Sequence, residues 1–321
     1  LEIDRADLGT ARLVEEPLAG PAPGEVRFRV ERFAVTANTV TYAVTGDTLG
    51  YWDLFPDDFR LGPGTGHGLG RSGCIRASSG ADRRPYYGWF PMSRYLDMTV
   101  SPTSDGLRDD GPHRSAHALV YRAYVATNRD PFHEPGADAE DRHALLRGLF
   151  ITGFLAEDFF ADHDYFGASR VLVLSASSKT AIGFAHCADS RPGIDVVGVT
   201  SQANHAFVHG LGCYDEAITC DDITAVPTGA PVVSIDMSGN GVVLERVHSH
   251  FGDGLRHSMA IGRSHHDAPM RGRAARSAAG VLLRTDAGQE TRAGLGGPPG
   301  TRNGSARHCG SSWPTVANGS R

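Results

Sequence analysis

The chain has 321 residues, of which 40% are hydrophobic, and a formal net charge of -6 at pH 7. This length is sufficient for two domains of ordinary size. The acidic balance argues against a nucleic-acid partner, because such proteins concentrate basic residues on one face. No segment approaches the roughly 20 consecutive apolar residues of a membrane helix, and the charged N-terminal residues are not typical of a signal peptide. The five cysteines form no C-x-x-C pattern. We therefore expect a cytoplasmic protein.

The first predicted elements are β-strands. Residues 25–35 (EVRFRVERFAV) alternate apolar and polar side chains, the period of two that is typical of a half-buried strand. The aromatic run YYGWFPMSRYLDMTV at 86–100 predicts a strand pair, or a strand and a turn. Residues 1–120 are therefore expected to form a β-rich domain, within which the assignment of residues 62–85 stays uncertain.

A helix and then a series of short strands are predicted in the second part of the chain. Residues 142–160 have helical spacing with a broad apolar face. Apolar runs typical of strands follow at 171–174, 195–199, 231–236 and 258–262, with EAIT at 216–219 as a further candidate. Nearly continuous apolar strands that alternate with crossover segments predict a parallel sheet with helices on both faces. We expect residues 121–266 to form this domain with its connecting helices.

The last segment, residues 267–321, has a different composition. It contains one aromatic residue, Trp313, and no periodic apolar pattern, so it cannot bury enough surface to offset its ordering entropy. Two interpretations stay open: a disordered tail, or an out-of-frame translation of a G+C-rich coding sequence. Residues 62–85 have the same Gly- and Arg-rich composition and are open to the second interpretation as well.

The turn after the first strand of the second part, SASSKT at 175–180, predicts a phosphate site. A helix that begins directly after a strand presents unpaired amide N–H groups and the positive end of its dipole. Ser175, Ser178 and Ala181 occupy the positions at which dinucleotide-binding folds place the glycines of G-x-G-x-x-G. The predicted cofactor-binding residues in this turn are Ser175, Ser177, Ser178, Lys179 and Thr180.

Two interpretations of this turn remain. The serine hydroxyls can donate to phosphate, provided that the backbone needs no positive φ, and Lys179, the only lysine of the chain, can supply a positive charge. Alternatively, Ser177 or Ser178 is only a helix N-cap and Lys179 is solvated.

The end of the second strand predicts which dinucleotide is preferred. NAD enzymes usually place Asp or Glu there to hold the ribose 2′-hydroxyl, whereas this chain has Thr200 and Ser201. Without a carboxylate to repel a 2′-phosphate, NADP(H) is favoured over NAD(H), although no arginine is close in sequence. Thr200 and Ser201 complete the predicted cofactor site.

Three motifs resemble the medium-chain dehydrogenase/reductases, above all their zinc-independent quinone-oxidoreductase branch. They are GASRVLVLSASSKTAIGFA at 167–185, LGCYDEAIT at 211–219 and PVVSIDMSGNG at 231–241. A closer resemblance, over residues 1–61 and 86–266, is to an uncharacterised family of quinone-oxidoreductase-like proteins, classed as a domain of unknown function. It is carried by runs such as VTANTVTYAVTGDTLGYWDLFP and VHSHFGDGLRHSMAIG. The resemblance implies an α/β protein with a GroES-like N-terminal β-barrel domain and a Rossmann-type, doubly wound parallel sheet.

The resemblance also implies candidate catalytic residues. Reduction of a quinone or a conjugated carbonyl by hydride transfer, without metal or flavin, requires hydrogen-bond donors at the substrate oxygen. In the matching segment of the family an Asn and a Tyr border the nicotinamide pocket, which carries over to Asn38 and Tyr42, with Tyr42 as proton donor or orienting group. Alternatively, Tyr42 fills the core.

No zinc is expected. The zinc branch of the superfamily uses Cys and a His followed by Glu, whereas His67 is followed by Gly68 and no cysteine precedes Cys74. The expected function is thus a zinc-independent, NADP(H)-dependent oxidoreductase with a small-molecule substrate. The alternatives are a non-catalytic relative that binds a nucleotide or another anionic ligand, and a truncated inactive product. A homodimer is one option for the oligomeric state, which the sequence does not determine.

Overall fold

The computed structural model describes residues 2–5, 7–15, 20–54, 65–67 and 84–262. The expected tail at 267–321 lies outside the described residues, and so does the uncertain stretch 62–85 except for 65–67 and 84–85. The chain divides into two units, Leu1–Gly148 and Leu149–Arg321. Residues 123–126, which follow the domain boundary expected at residue 120, pair in the sheet of the first unit.

The first unit is built mainly from antiparallel strands. A five-stranded sheet has the order β3-β6-β7-β8-β5, and a three-stranded sheet has the order β2-β1-β4. The strands are β1 (Glu2–Asp4), β2 (Ala11–Arg12), β3 (Glu25–Arg29), β4 (Thr65–His67), β5 (Tyr86–Tyr87), β6 (Tyr95–Pro102), β7 (Gly106–Asp109) and β8 (Ala123–Ala126). The helices are α1 (Ala37–Val44), α2 (Gly46–Leu49), α3 (Leu119–Arg122) and the beginning of α4 (Ala137–Asp162).

Aromatic side chains form the core of the first unit. Phe28 of β3 is fully buried and packs against Tyr86, Phe90 and Tyr124. The strand predicted for residues 25–35 ends at Arg29, and beyond it the apolar residues Phe33 and Val35 are exposed, so they extend no buried face.

A buried ion pair lies beside this core. The guanidinium of Arg114 is 3.2 Å from the Asp109 carboxylate, and both side chains are almost fully buried. Arg114 Nε donates to the carbonyl of Leu54 at 2.9 Å, and its Nη1 donates to the carbonyl of Tyr121 at 2.9 Å and to the Tyr124 hydroxyl at 2.7 Å. Arg114 therefore joins three separate segments of the first unit, which contain Leu54, Asp109 and the continuous run from α3 to β8.

The second unit is a parallel sheet with the order β11-β10-β9-β12-β13. Its strands are β9 (Arg170–Leu174), β10 (Asp195–Thr200), β11 (Glu216–Thr219), β12 (Val232–Asp236) and β13 (Leu255–Ala260), and its helices after α4 are α5 (Lys179–Ala188), α6 (His205–His209) and α7 (Gly241–Phe251). The strands predicted from apolar runs are confirmed, and only the last is displaced, from 258–262 to 255–260. No helix among the described residues is long and apolar enough to cross a membrane.

Both faces of the parallel sheet are covered, as the apolar runs predict. Alternate residues of β9 point to opposite faces. Val171 and Val173 belong to a core cluster with residues of α4 and α5, whereas Leu172 and Leu174 belong to a second cluster with residues of α7. The strands are apolar throughout because each side chain, whichever face it takes, enters a core.

Helices α4 and α5 approach each other unusually closely within the second unit. A Cβ atom placed on Gly153 of α4 would lie 2.6 Å from the Thr180 carbonyl oxygen and 2.6 Å from the Phe184 amide nitrogen. On the other helix, a Cβ on Gly183 would meet the Cα of Phe150 at 3.4 Å. The two glycines thus allow the helix backbones to touch, and this contact holds the first turn of α5 in place.

Candidate functional site

The strand order identifies one edge of the second unit as the candidate site. In a doubly wound sheet, ligands bind outside the carboxyl ends of the strands at the point where the strand order reverses. Here that point lies between β9 and β12, the adjacent central strands. Their carboxyl ends continue into short turns, residues 175–178 and 237–240, and each turn leads directly into a helix, α5 or α7.

In the turn at residues 175–178, Ser175 has a backbone conformation that glycine ordinarily adopts. Ser175 adopts φ +59°, in the left-handed region, and its carbonyl accepts a hydrogen bond from the Ser178 amide at 2.9 Å. The condition that this serine needs no positive φ is therefore not met. A non-glycine residue in this region costs about 1–2 kcal/mol, so the turn keeps its shape against the preference of its first residue.

The structure separates the roles of the other two serines. Ser178 is the N-cap of α5, with its Oγ accepting the Ala181 amide at 3.3 Å, as the capping interpretation expects. Ser177 Oγ accepts a hydrogen bond from Asn204 Nδ2 at 3.2 Å. Both hydroxyls act as acceptors in these bonds, so their own hydrogen atoms are not used in them.

The first turn of α5 leaves amide groups available. No hydrogen bond within the described residues uses the amide N–H of Ser177, Lys179 or Thr180. The Lys179 side chain is exposed and forms no ion pair with the described residues, so its ammonium group can meet an anion at this helix end. Thr180 differs from the others, because it is buried.

Among the described residues, those that directly follow β10 include no carboxylate. Thr200 is buried at the end of the strand and its carbonyl accepts the Cys220 amide at 2.9 Å, while Ser201 is exposed. The acidic residues at the end of the neighbouring strand are engaged elsewhere: Asp222 accepts from the Thr219 hydroxyl at 2.6 Å, and Asp221 pairs with Arg246 at 3.0 Å.

The turn after β12 is equally well organised, although the sequence analysis predicted no site residue in it. The buried carboxylate of Asp236 accepts hydrogen bonds from the amide and hydroxyl of Ser238 and from the amide of Gly239, each at 2.9 Å. Asn240 then caps α7 through the amides of Val242 and Val243. The signal in the sequence was the run D-M-S-G-N-G, in which Asp, Ser and Asn favour turns and helix caps.

Two further residues contact the serine turn without having been predicted. Asn204, which bonds Ser177, lies in the segment after β10, and the Tyr214 hydroxyl donates to the carbonyl of Ala176 at 2.8 Å. The one signal was Gly198 in the middle of the apolar strand DVVGVT, since a glycine inside a strand often marks a close approach.

The predicted catalytic residues lie on α1 of the first unit. Tyr42 is 8% exposed, and its ring packs edge-on against Tyr51 and Trp89, with centroid distances of 4.6 and 5.2 Å. This is the packing that the core interpretation of Tyr42 expects. Asn38 belongs to the same helix, but its side chain lies outside the described part of the chain.

In the part of the chain that the structure describes, no three His, Cys, Asp or Glu side chains are grouped in a way that could hold a metal ion. His67 is part of β4, and Cys74 lies outside the described ranges.

The chain matches a known protein family over most of its length. The family described as "Protein of unknown function (DUF2855)" matches residues 33–297, most of the chain. The chain belongs to this family. Membership confirms the resemblance to an uncharacterised family seen in the sequence motifs. No curated protein sequence matches this DUF2855 member.

Solved structures resemble this DUF2855 member at low sequence identity. CurA from Vibrio vulnificus is 12% identical with a TM-score of 0.50, covering 85% of this chain and 72% of its own. The quinone oxidoreductase of Thermus thermophilus, solved also with NADPH, is 18% identical with a TM-score of 0.49, covering 84% and 74%. A cobalt- and zinc-bound alcohol dehydrogenase from Pyrobaculum aerophilum is 15% identical with a TM-score of 0.46, covering 89% and 85%. The likeness to CurA and the strand order confirm the predicted fold class, a Rossmann-type α/β domain joined to a GroES-like β domain.

Proposed function

We propose that this protein is an NADP(H)-dependent oxidoreductase that reduces a quinone or a conjugated carbonyl compound. The observation that supports this best is the shape of the serine turn at the switch point of the parallel sheet. There, Ser175 keeps the left-handed backbone of a dinucleotide-binding turn although it is not a glycine. Maintaining this strain is explained if the turn serves a ligand.

The residues of the turn fit a pyrophosphate group. The amide N–H groups of Ser177, Lys179 and Thr180, which no hydrogen bond of the described residues uses, would hold phosphate oxygens at the N-terminus of α5. The exposed Lys179 ammonium would add a charge, and the Ser177 hydroxyl a further donor. At the end of β10, Thr200 and Ser201 present no carboxylate to repel a ribose 2′-phosphate, which supports NADP(H) over NAD(H).

The chemistry of the reaction would come from the bound nicotinamide, which supplies a hydride. The chain's own contribution in the second unit is to fix the dinucleotide at the carboxyl edge of β9. We assign Tyr42 no proton-transfer step, because its ring is packed among Tyr51 and Trp89. Asn38 stays a candidate for orienting the substrate oxygen.

A non-catalytic nucleotide binder is the second candidate. It is favoured by the burial of Tyr42, whose ring packs against Tyr51 and Trp89. Turnover separates the candidates: oxidation of NADPH in the presence of a simple quinone, followed by absorbance, is expected for the reductase only.

Cofactor binding itself is tested by fluorescence titration with NADPH and NADH. We expect saturable binding of NADPH and weaker binding of NADH. Absence of saturable binding for both dinucleotides would contradict the proposed function.

Replacement of Lys179 by alanine is expected to weaken NADPH binding about tenfold, because an ion pair or charge-assisted hydrogen bond to phosphate is lost. Arg256→Ala is the matched control, since Arg256 is an exposed cation of the same unit that lies near the amino end of β13, at the opposite edge of the sheet. Equal affinities for Lys179→Ala and the wild type would remove the ammonium group from the site.

A further inference from the structure

The serine turn at residues 175–178 is hydrogen-bonded to the neighbouring strand β10 and to the segment that follows β10. The Ala176 amide donates to the Val199 carbonyl at 3.0 Å. The Ala176 carbonyl, in turn, accepts the Tyr214 hydroxyl at 2.8 Å. Both backbone polar groups of Ala176 are therefore satisfied by residues of or beyond β10.

The bond from Tyr214 fixes the direction of the next amide group. The carbonyl of Ala176 and the N–H of Ser177 belong to one planar trans peptide, in which the two groups point in opposite directions. With the carbonyl directed at Tyr214, the Ser177 N–H points away from Tyr214. This N–H is one of the amides that make no hydrogen bond with the described residues. It is therefore available to donate to an acceptor on a ligand.

The tyrosine ring has a place prepared for it in the sheet. A Cβ atom on Gly198 of β10 would lie 2.9 Å from Cδ1 of Tyr214 and 3.1 Å from the Cβ of Ala176. Only glycine at residue 198 leaves room for the ring and the methyl group together. The hydroxyl is also a reliable donor, because burial raises the pKa of Tyr214 well above its ordinary value.

We propose that Tyr214 is a positioning residue for the pyrophosphate of the dinucleotide, acting through the Ala176–Ser177 peptide. The inference rests on the proposed function, because it names how the same site is shaped. A glycine at residue 175 would adopt the left-handed backbone readily. With serine there, the strain of Ser175 is offset by anchoring the following peptide to Tyr214, and by the bond from Asn204 to Ser177.

The decisive variant is Tyr214→Phe, which keeps the ring against Gly198 and removes only the hydroxyl. We expect its dissociation constant for NADPH to rise about three- to tenfold, the effect of one intramolecular hydrogen bond. Its affinity for 2′-AMP, which has a 2′-phosphate but no pyrophosphate, is expected to stay unchanged. Tyr165→Phe is the matched control, because it loses the same atom from a buried tyrosine of the same unit whose hydroxyl donates to Glu157 at 2.7 Å instead.

The outcomes distinguish failure of the proposed function from failure of the positioning role of Tyr214. Failure of the wild-type protein to bind NADPH would contradict the proposed function itself. Wild-type binding with equal NADPH affinity in Tyr214→Phe would overturn the positioning role alone, and so would an equal loss of affinity for NADPH and 2′-AMP, which a merely structural role produces.

A second measurement covers the case in which Tyr214→Phe does not fold. Hydrogen exchange of the wild-type peptide containing residues 175–180 is expected to slow when NADPH is added and not when 2′-AMP is added. No protection by NADPH, under conditions in which NADPH binds, would overturn the positioning role.

Discussion

Alanine in place of Gly153 is expected to lower the free energy of unfolding of the second unit by about 3 kcal/mol, at the upper end of the cost of overpacking. The added methyl group would lie 2.6 Å from backbone atoms of α5, the Thr180 oxygen and the Phe184 nitrogen. Backbone cannot move aside as a flexible side chain can, so the two helices must separate. Helix propensity alone predicts the opposite sign, because alanine is about 1 kcal/mol better than glycine in a helix interior.

The same substitution is also expected to weaken NADPH binding, because Thr180 belongs to the first turn of α5 and its amide is one of the proposed phosphate ligands. Chemical unfolding followed by circular dichroism measures the first effect, and fluorescence titration with NADPH measures the second. Gly210→Ala serves as the control: its added Cβ would meet only ordinary contacts, the nearest at 3.4 Å, and its φ of -75° suits alanine. Equal free energies of unfolding for Gly153→Ala and Gly210→Ala would contradict the close approach of α4 and α5.

Methionine in place of Arg114 is expected to destabilise the first unit by about 3–5 kcal/mol, the usual cost of leaving one member of a buried ion pair without its partner. The Asp109 carboxylate, almost fully buried, would lose the guanidinium that lies 3.2 Å from it. The carbonyls of Leu54 and Tyr121 would lose their donor at the same time. Thermal and denaturant unfolding of the full chain measures the effect.

A surface pair provides the comparison for this variant. Arg108 pairs with Asp110 at 2.7 Å, but the side chains are 45% and 26% exposed, so Arg108→Met is expected to cost at most about 1 kcal/mol. The double variant with Asp109→Leu and Arg114→Met should recover part of the loss, because it leaves no buried charge. Equal stability of the Arg108 and Arg114 single variants would show that burial of the pair does not matter.

The strands of the second unit could be predicted from the sequence because each is covered on both faces. A strand such as 171–174 is apolar at every position, and β9 lies at Arg170–Leu174. In the first unit the pattern was less reliable. The alternation of residues 25–35 continues past the end of β3 at Arg29, because exposed apolar residues such as Val35 mimic a buried face without entering a core.

The roles of the individual turn residues could not be predicted in the same way. Three small or polar side chains at Ser175, Ser177 and Ser178 look alike in the sequence. In the structure they are respectively a left-handed backbone position, an acceptor for Asn204 and a helix cap. These differences depend on backbone angles and on neighbours from other strands, neither of which is written in a short motif.

By itself, the sequence determined where the strands of the second unit lie, that a long helix precedes them, and that a helix begins directly after the serine turn, since these features depend on residues close together in the chain. Only the tertiary structure decided what holds the turn. Tyr214 is 38 residues away from Ala176, and it reaches the turn because β10 lies beside β9 in the sheet. Contacts of this kind form when the sheet assembles, so no local pattern of residues records them.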